Sequence, residues 1–437
     1  MLSLIDYDIN EINELLNYIY ESPTSFHVVK NAITLLKKFK FKELRESDKW
    51  NLEKYGKYFI VKNNSALIAF TVGTGSPKND GFKIIGAHTD SPGFKIKPNS
   101  DIKVENSYIK LNTEVYGGPI LNTWMDRPLS IAGRVVLKSE NILSPDIKLI
   151  NIRRPLLIIP NLAIHMNRDV NLGIKLNRQI HTLPLLALAD EKFKDTNYLT
   201  KIISDELSIS QDDILDFDLF LYEFEKGTTL GAGNEFISSG RLDDLSMVYS
   251  GIKALCSSTV KSNTNVMVCF DNEEVGSTTK QGANSPMLLS TLERINFNLG
   301  GGMDEFYRAI SKSFMISCDL GHALHPNYPE KSDPVNRPVI NKGPIIKMAA
   351  SQSYSTDAVS SAIYKNICSK AKIPFQIFVN RSDERGGSTI GPISSSHINL
   401  NTVDMGLAIL SMHSIRELAG VKDYIYAMKS FKEFYNL

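Results

Sequence analysis

Apolar spacing along the chain changes character several times. From about residue 8 to 40 it is helical, with Ile12, Leu15, Leu16, Ile19 and Tyr20, then Val28, Ile33, Leu35 and Leu36 beyond Pro23. That recurrence predicts amphipathic helices. From about Phe59 short β-like runs take over, "YFIVKN", "ALIAFTVG" and "FKIIGAHTD", which suit a sheet. Between about Pro92 and Glu225, Pro, Asn and alternating segments such as "IKVENSYIKL" and "LSIAGRVVLK" predict an inserted, mostly β domain. Behind "SSGRLDD" a helical face returns, formed by Leu245, Val248, Ile252 and Leu255. Asp243 and Asp244 stand at its N-terminal end, where the helix partial charge favours acids. Strand-like runs, "NVMVCFD", "SFMISCDL" and "PFQIFVN", then alternate with helical ones through "DYIYAMKSFKEF". The expected fold is α/β. A central mixed sheet flanked by helices is built from 1–91 and 233–437, and 92–232 is the insertion.

With 437 residues, 42% hydrophobic and 22% charged, the chain has material for more than one core. Its 49 Lys and Arg balance 48 Asp and Glu, so no global charge steers it toward nucleic acid or an anionic membrane. The four cysteines form no C-x-x-C pair, and Cys269 and Cys318 sit in apolar runs, as buried free thiols of a reducing compartment do. The acidic N-terminal stretch has no signal-peptide pattern, and Pro160 breaks the longest apolar run. A cytoplasmic location is expected.

Three apolar runs each end in potential ligands: "KIIGAHTD" in His88 and Asp90, "VMVCFDNEE" in Glu273 and Glu274, "FMISCDLGH" in Asp319 and His322. In an open α/β sheet, function collects beyond the strand ends. Spaced two apart on extended backbone, Asp90 could accept the Nδ1 proton of His88 and leave Nε2 for a metal; a turn with a hydrogen-bonded histidine fits "HTD" equally. Asp243 reads also as a helix-terminus acid, Asp319 as a helix cap, and His413 in "LAILSMHSIRE" as a core histidine. Taken together, imidazoles with carboxylates suit zinc or its first-row neighbours rather than magnesium or calcium. Three acids, Asp243, Glu274 and Asp319, balance two dications better than one. A glycosidase-like acid pair fits poorly, because Glu273 and Glu274 are adjacent and cannot face each other across a sugar.

These residues lie within nine stretches, among them "GAHTDSPGFKIKP", "SSGRLDDLSM", "DNEEVGS", "CDLGHALHPNYPEK", "GPIIKM", "RSDERGGSTIGPIS" and "MHSIRE". In that order they resemble the M18 aminopeptidases nearly end to end. The resemblance implies a dinuclear zinc peptidase domain, with Co2+ or Mn2+ as possible substitutes, interrupted by a dimerisation domain. Carried over, His88 and Asp319 hold one zinc and Glu274 and His413 the other, with Asp243 bridging. Glu273 is then the general base, and Asp90 orients His88.

His165 in "NLAIHMNR" is implied as an oxyanion donor in a neighbouring subunit's site; a buried structural histidine is the competing reading. The implied assembly is a homo-oligomer, a tetrahedral dodecamer, acting on peptides. Lys347 and Tyr354 fall at positions that look like the acidic-residue pocket of the aspartyl aminopeptidase branch, which implies preference for N-terminal Asp or Glu; a surface lysine is the competing reading. His322 and His325 line the same cavity by resemblance, or pack a loop; Gly387 lies in a loop that lets backbone come close to a ligand, and Arg381 and Asp383 are further substrate-binding candidates. Glu384 departs from the family pattern and adds negative charge near that pocket. No maturation step is expected, as no long propeptide-like extension precedes the first helix. The alternatives are an aminopeptidase for neutral residues and a non-catalytic metal-binding scaffold.

Overall fold

The computed structural model describes residues 6–189, 197–384 and 386–437. The chain divides into two compact units, one of residues 1–90, 227–412 and 417–437, the other of 91–226 and 413–416. The expected insertion, 92–232, did not include the short segment 413–416, which carries His413.

In the larger unit a nine-stranded sheet runs, edge to edge, Lys42–Glu43, Lys57–Lys62, Ala66–Thr71, Thr264–Phe270, Phe82–His88, Phe314–Cys318, Asn401–Gly406, Ile345–Lys347 and Gln376–Phe378. The four central strands, from Thr264–Phe270 to Asn401–Gly406, are mutually parallel, and their flanking neighbours are antiparallel to them. This is the expected mixed sheet. Its central strands read as unbroken apolar runs because both faces are buried. Alternate residues feed two cores. Ile85, Ala87, Met267, Cys269, Ile316 and Cys318 pack with Leu245, Val248 and Ile252 of helix Leu242–Ser257 and with Tyr424 and Phe431 of helix Val421–Tyr435. Ile84, Val266, Val268, Phe270 and Met315 pack on the other face with Leu288 and Leu292 of helix Met287–Asn298. Burying each such side chain contributes roughly 1.5–3 kcal/mol.

The N-terminal helical pattern resolves into Asp6–Tyr20 and Ser25–Lys38, broken around Pro23, where proline cannot continue a helix. All four cysteines are free and buried.

The second unit is built on a six-stranded antiparallel sheet, in the order Asp146–Asn151, Leu129–Leu137, Ile214–Glu223, Gly93–Val104, Tyr108–Tyr116 and Leu185–Leu188. Its core gathers Phe94, Leu111, Trp124, Ile131 and Leu219 against Leu199 and Ile203 of helix Tyr198–Leu207. Among the described residues, no helix is long and apolar enough to cross a membrane.

Candidate metal centre

Strands Thr264–Phe270, Phe82–His88 and Phe314–Cys318 are parallel neighbours, with Phe270 and His88 in register. Parallel strands release their C-terminal ends at one edge, so His88, Glu273, Glu274 and Asp319 are delivered to the same place. After Phe270 the chain turns through Asn272 in the left-handed region, φ 61°, into the short 3-10 helix Glu273–Val275. That turn frees the two glutamates from strand alternation.

Helix Leu242–Ser257 brings two more acids. Asp243 (φ −81°, ψ 107°) and Asp244 (φ −118°, ψ 21°) lack helical backbone although they lie in its first turn, and a cis peptide bond joins them. Both acids stand in the helix's first turn, as expected, but on non-helical backbone. Both are buried. Asp244 Oδ2 accepts the backbone N–H of His88 at 3.1 Å, and the backbone N–H of Asp243 donates to Glu417 Oε2 at 3.1 Å.

His88 is at the centre. Its Nε2 lies 3.5 Å from Asp243 Oδ1 and 3.9 Å from Asp319 Oδ1. Its Nδ1 faces the backbone carbonyl of Asp90 at 3.1 Å and the Asp90 carboxylate at 3.5 Å. The contact between His88 and Asp90 thus has a different form from that expected, because the main-chain oxygen is the nearer acceptor. The two carboxylate oxygens of Asp90 instead accept the backbone N–H groups of Glu273 and Glu274, each at 3.1 Å. Asp90 therefore clamps the turn that carries both glutamates.

Crowded carboxylates shift one another. Burial pushes Glu274 and Asp244 well above the usual range; Asp243 repels both, and the positive charge of His88 offsets only part of this. Burial lifts Glu273 to about 8, against the pull of His88 and with added repulsion from Asp319, Asp90 and Asp243. His88 is drawn down by burial, but contacts with Asp243, Asp319 and Asp90 outweigh this and hold it well above its ordinary value. Asp319 is the opposite case. Burial would raise it, yet Lys347 and His88 hold it below the usual carboxylate range.

The donor set suits a cation. Ligand atoms of His88, Asp243 and Asp244 lie within 4.8 Å of one another, as do those of His88, Glu273 and Glu274. Among the described residues, the buried Oδ1 of Asp244 has no hydrogen-bond partner, and such an atom costs about 1–3 kcal/mol if left so. An imidazole with several carboxylates fits zinc chemistry. His413 belongs to the segment grouped with the second unit. It is half-buried, has φ 65°, and places Nδ1 3.2 Å from the Gly118 carbonyl.

Of the residues expected at the substrate pocket, His322, His325 and Arg381 line one cavity of about 510 Å³, together with Lys331, Asp333 and Glu384. Gly387 lines a second, of about 1100 Å³. Asp383 is exposed and pairs with Arg381 at 2.6 Å, while Glu384 pairs with Lys331 at 2.6 Å. Tyr354 is buried against Phe378, with ring centroids 6.3 Å apart. Lys347 is 3% exposed and contacts Asp319 and Leu320. His165 lies in the short turn Ile164–Met166 of the second unit and is exposed, which removes the buried structural reading.

Sequence reasoning did not assign Asp244 or Glu417 to the site. Asp244 was signalled by its adjacency to Asp243, and Glu417 by closing the stretch "MHSIRE".

Comparison with known proteins gives consistent findings. The family model described as Peptidase M18, aminopeptidase I zinc metalloprotease, matches residues 18–435. A probable M18 family aminopeptidase 2 of Clostridium novyi is 62% identical over 425 residues, covering 97% of this chain and 98% of that protein. Among solved structures, Ape4 in its complex with Nbr1 superposes with TM-score 0.93 at 36% identity, covering 97% of this chain and 85% of that one. The S. cerevisiae mApe1 dodecamer superposes with TM-score 0.86 at 28% identity, covering 98% and 97%.

Proposed function

The chain belongs to the M18 family of aminopeptidases, and from that premise we propose that it removes the first residue of peptides at a dinuclear zinc centre, with Glu273 as general base and a preference for N-terminal Asp or Glu. The observation that carries the proposal is the convergence of His88, Asp243, Glu273, Glu274 and Asp319 at the edge of three adjacent parallel strands. His88 and Asp319 would hold one ion, Glu274 and His413 the other, and Asp243 both. Bound zinc polarises a carbonyl and lowers the pKa of water to about 7. The remaining steps belong to the protein. Glu273 takes the proton of the attacking water and returns it to the leaving amine; such acid–base work is worth about 10²–10⁴-fold. Asp90 fixes the turn that carries both glutamates by accepting their backbone N–H groups.

His165 is the proposed oxyanion donor, supplied to a neighbouring subunit in a homo-oligomer. Its exposed setting among Leu162, Ile164 and Met166, 53%, 48% and 69% exposed, supports a surface meant to be covered. The dodecameric state of the S. cerevisiae relative supports a dodecamer, for which the proposed arrangement is tetrahedral. Preference for acidic residues would draw on His322, His325 and Arg381 at the cavity.

A second reading, release of neutral residues, is favoured by one observation. The cavity's Lys331 is paired with Glu384, and its Arg381 with Asp383 outside it. Comparing kcat/KM for Asp-, Glu- and Leu-peptides on one preparation separates the two readings. Glu273→Gln is expected to abolish turnover while zinc is retained, and Glu274→Gln to lose zinc as well. A fully active Glu273→Gln protein would refute the mechanism, and an unaltered protein that binds zinc but cleaves nothing would favour the scaffold alternative.

A further inference from the structure

His413 stands on a segment that belongs, by its contacts, to the second unit, and the groups that fix it there have a chemical direction. Its Nδ1 lies 3.2 Å from the Gly118 carbonyl. A carbonyl oxygen only accepts, so in the neutral ring Nδ1 carries the proton and Nε2 the lone pair. A hydrogen bond of this kind sets which nitrogen of a histidine a metal can use. The backbone of His413 has φ 65°, a region that a residue with a Cβ adopts only where its surroundings hold it.

Three hydrogen bonds supply that hold, each leading to the next. The Ile120 N–H donates to the His413 carbonyl at 2.9 Å. The Thr123 hydroxyl donates to the Ile120 carbonyl at 2.7 Å, and its Oγ1 accepts the Ile415 N–H at 3.0 Å. The short 3-10 helix Leu121–Trp124 and its preceding residue thus grip the chain on either side of Ser414. Ile415 is buried in the core that also holds Trp124, Leu129 and Leu221. Arg416 completes the anchorage. Its Nε and a terminal nitrogen meet the two carboxylate oxygens of buried Glu223 at 3.2 and 2.9 Å, a fork that fixes the guanidinium in plane and direction. The same guanidinium donates to the carbonyls of Glu225 and Lys226 at 3.1 and 3.3 Å, and Arg127 brings a second positive charge to Glu223 at 2.9 Å.

We infer that Thr123 and Glu223 are positioning residues for His413, holding segment 413–416 so that the Gly118 carbonyl selects the ring's tautomer and Nε2 is the atom offered to a metal. The inserted unit thereby takes a part in metal binding. The inference rests on the proposed role of His413 as a zinc ligand. A partner that orients a metal ligand typically accounts for about 10–100-fold in metal affinity.

The test compares Thr123→Val, which keeps the side-chain shape and removes both its hydrogen bonds, with Thr123→Ser, which keeps them, and with Glu223→Gln, which removes the charge that Arg416 grips. A thermal melt of the metal-free proteins selects the folded ones, and Thr123→Val decides the matter if Glu223→Gln does not fold. The affinity for each zinc is measured by competition with a chromophoric chelator, and His413→Ala identifies the ion that depends on His413. Thr123→Val and Glu223→Gln are expected to weaken that ion by about 10–100-fold and leave the other unchanged, while Thr123→Ser retains both. A merely structural defect would weaken both ions alike or neither. Unchanged affinity in folded Thr123→Val, or equal weakening of both ions, therefore overturns the inference. Retention of both ions by His413→Ala would refute the ligand assignment and the inference with it. If the unaltered protein binds zinc but cleaves no peptide, the proposed function alone fails, and zinc affinity still decides the inference.

Discussion

Asp319 and Glu274 follow the ends of strands that flank the same central strand, and their carboxylates meet opposite surroundings. Asp319 has the Lys347 ammonium at 3.2 Å and stays below the usual carboxylate range. Glu274 is pushed well above that range by burial and by Asp243, Glu273 and Asp90, which the positive charge of His88 only partly offsets. One acid stands beside a lysine ammonium; the other stands mainly among acids, with His88 as its positive neighbour. If the proposed centre takes up zinc, the coupling of metal binding to protonation makes this difference measurable.

The strongest way to break the comparison is Asp319→Asn. Removing one member of a buried pair leaves the Lys347 charge unmatched, at an expected cost of about 3–5 kcal/mol, read as a large fall in melting temperature of the metal-free protein. Glu274→Gln is expected to have the opposite sign, raising that melting temperature because it removes a repelled acid. If both variants shift stability the same way, the contrast is wrong.

Next in size is Asp90→Ala. It strips the acceptors from the backbone N–H groups of Glu273 and Glu274, at about 1–3 kcal/mol for each group left unsatisfied. Zinc affinity is expected to fall with it, while the second unit keeps its amide-exchange protection.

A pH series sharpens the contrast. Glu273, Glu274 and Asp244 have folded-state pKa values above their ordinary ones, Glu273 at about 8. The folded metal-free protein then binds more protons than the unfolded chain, so its stability falls as pH rises from near 4.5 toward 8. Asp319 acts in the reverse sense, since its contribution is lost only as pH drops below about 4. Melting curves of the metal-free protein should weaken over the first window, and added zinc should cancel most of that loss.

The smallest effect is expected at the cavity rim. Lys331→Met or Glu384→Gln breaks an ion pair whose side chains are 64% and 45% exposed, a solvent-screened kind that contributes little to stability. Stability should hardly move, so any change in the ratio of Asp- to Leu-peptide cleavage reports on the rim's charge itself.

Much of the fold was legible because burial leaves a periodic trace. Alternate residues of "NVMVCFD" serve two cores, and the run ends where charge begins, so both strand and site edge could be read from one line of sequence. Helix Leu242–Ser257 was legible from Leu245, Val248 and Ile252. Its distorted first turn was not, since the backbone at Asp243 and Asp244 answers to His88 and Glu417, residues 156 and 174 positions away. Asp90 was read as the carboxylate partner of His88, but two N–H groups more than 180 positions later take its carboxylate.

What the sequence determined by itself is which side chains are apolar, how they alternate and which chemistry terminates each run; these are local properties carried by neighbouring residues. The tertiary structure alone decided which acid has a counter-charge. Lys347 and Asp319 are 28 positions apart and meet only because their strands flank strand Asn401–Gly406 in one sheet, and a charge that finds its partner through space leaves no period along the chain.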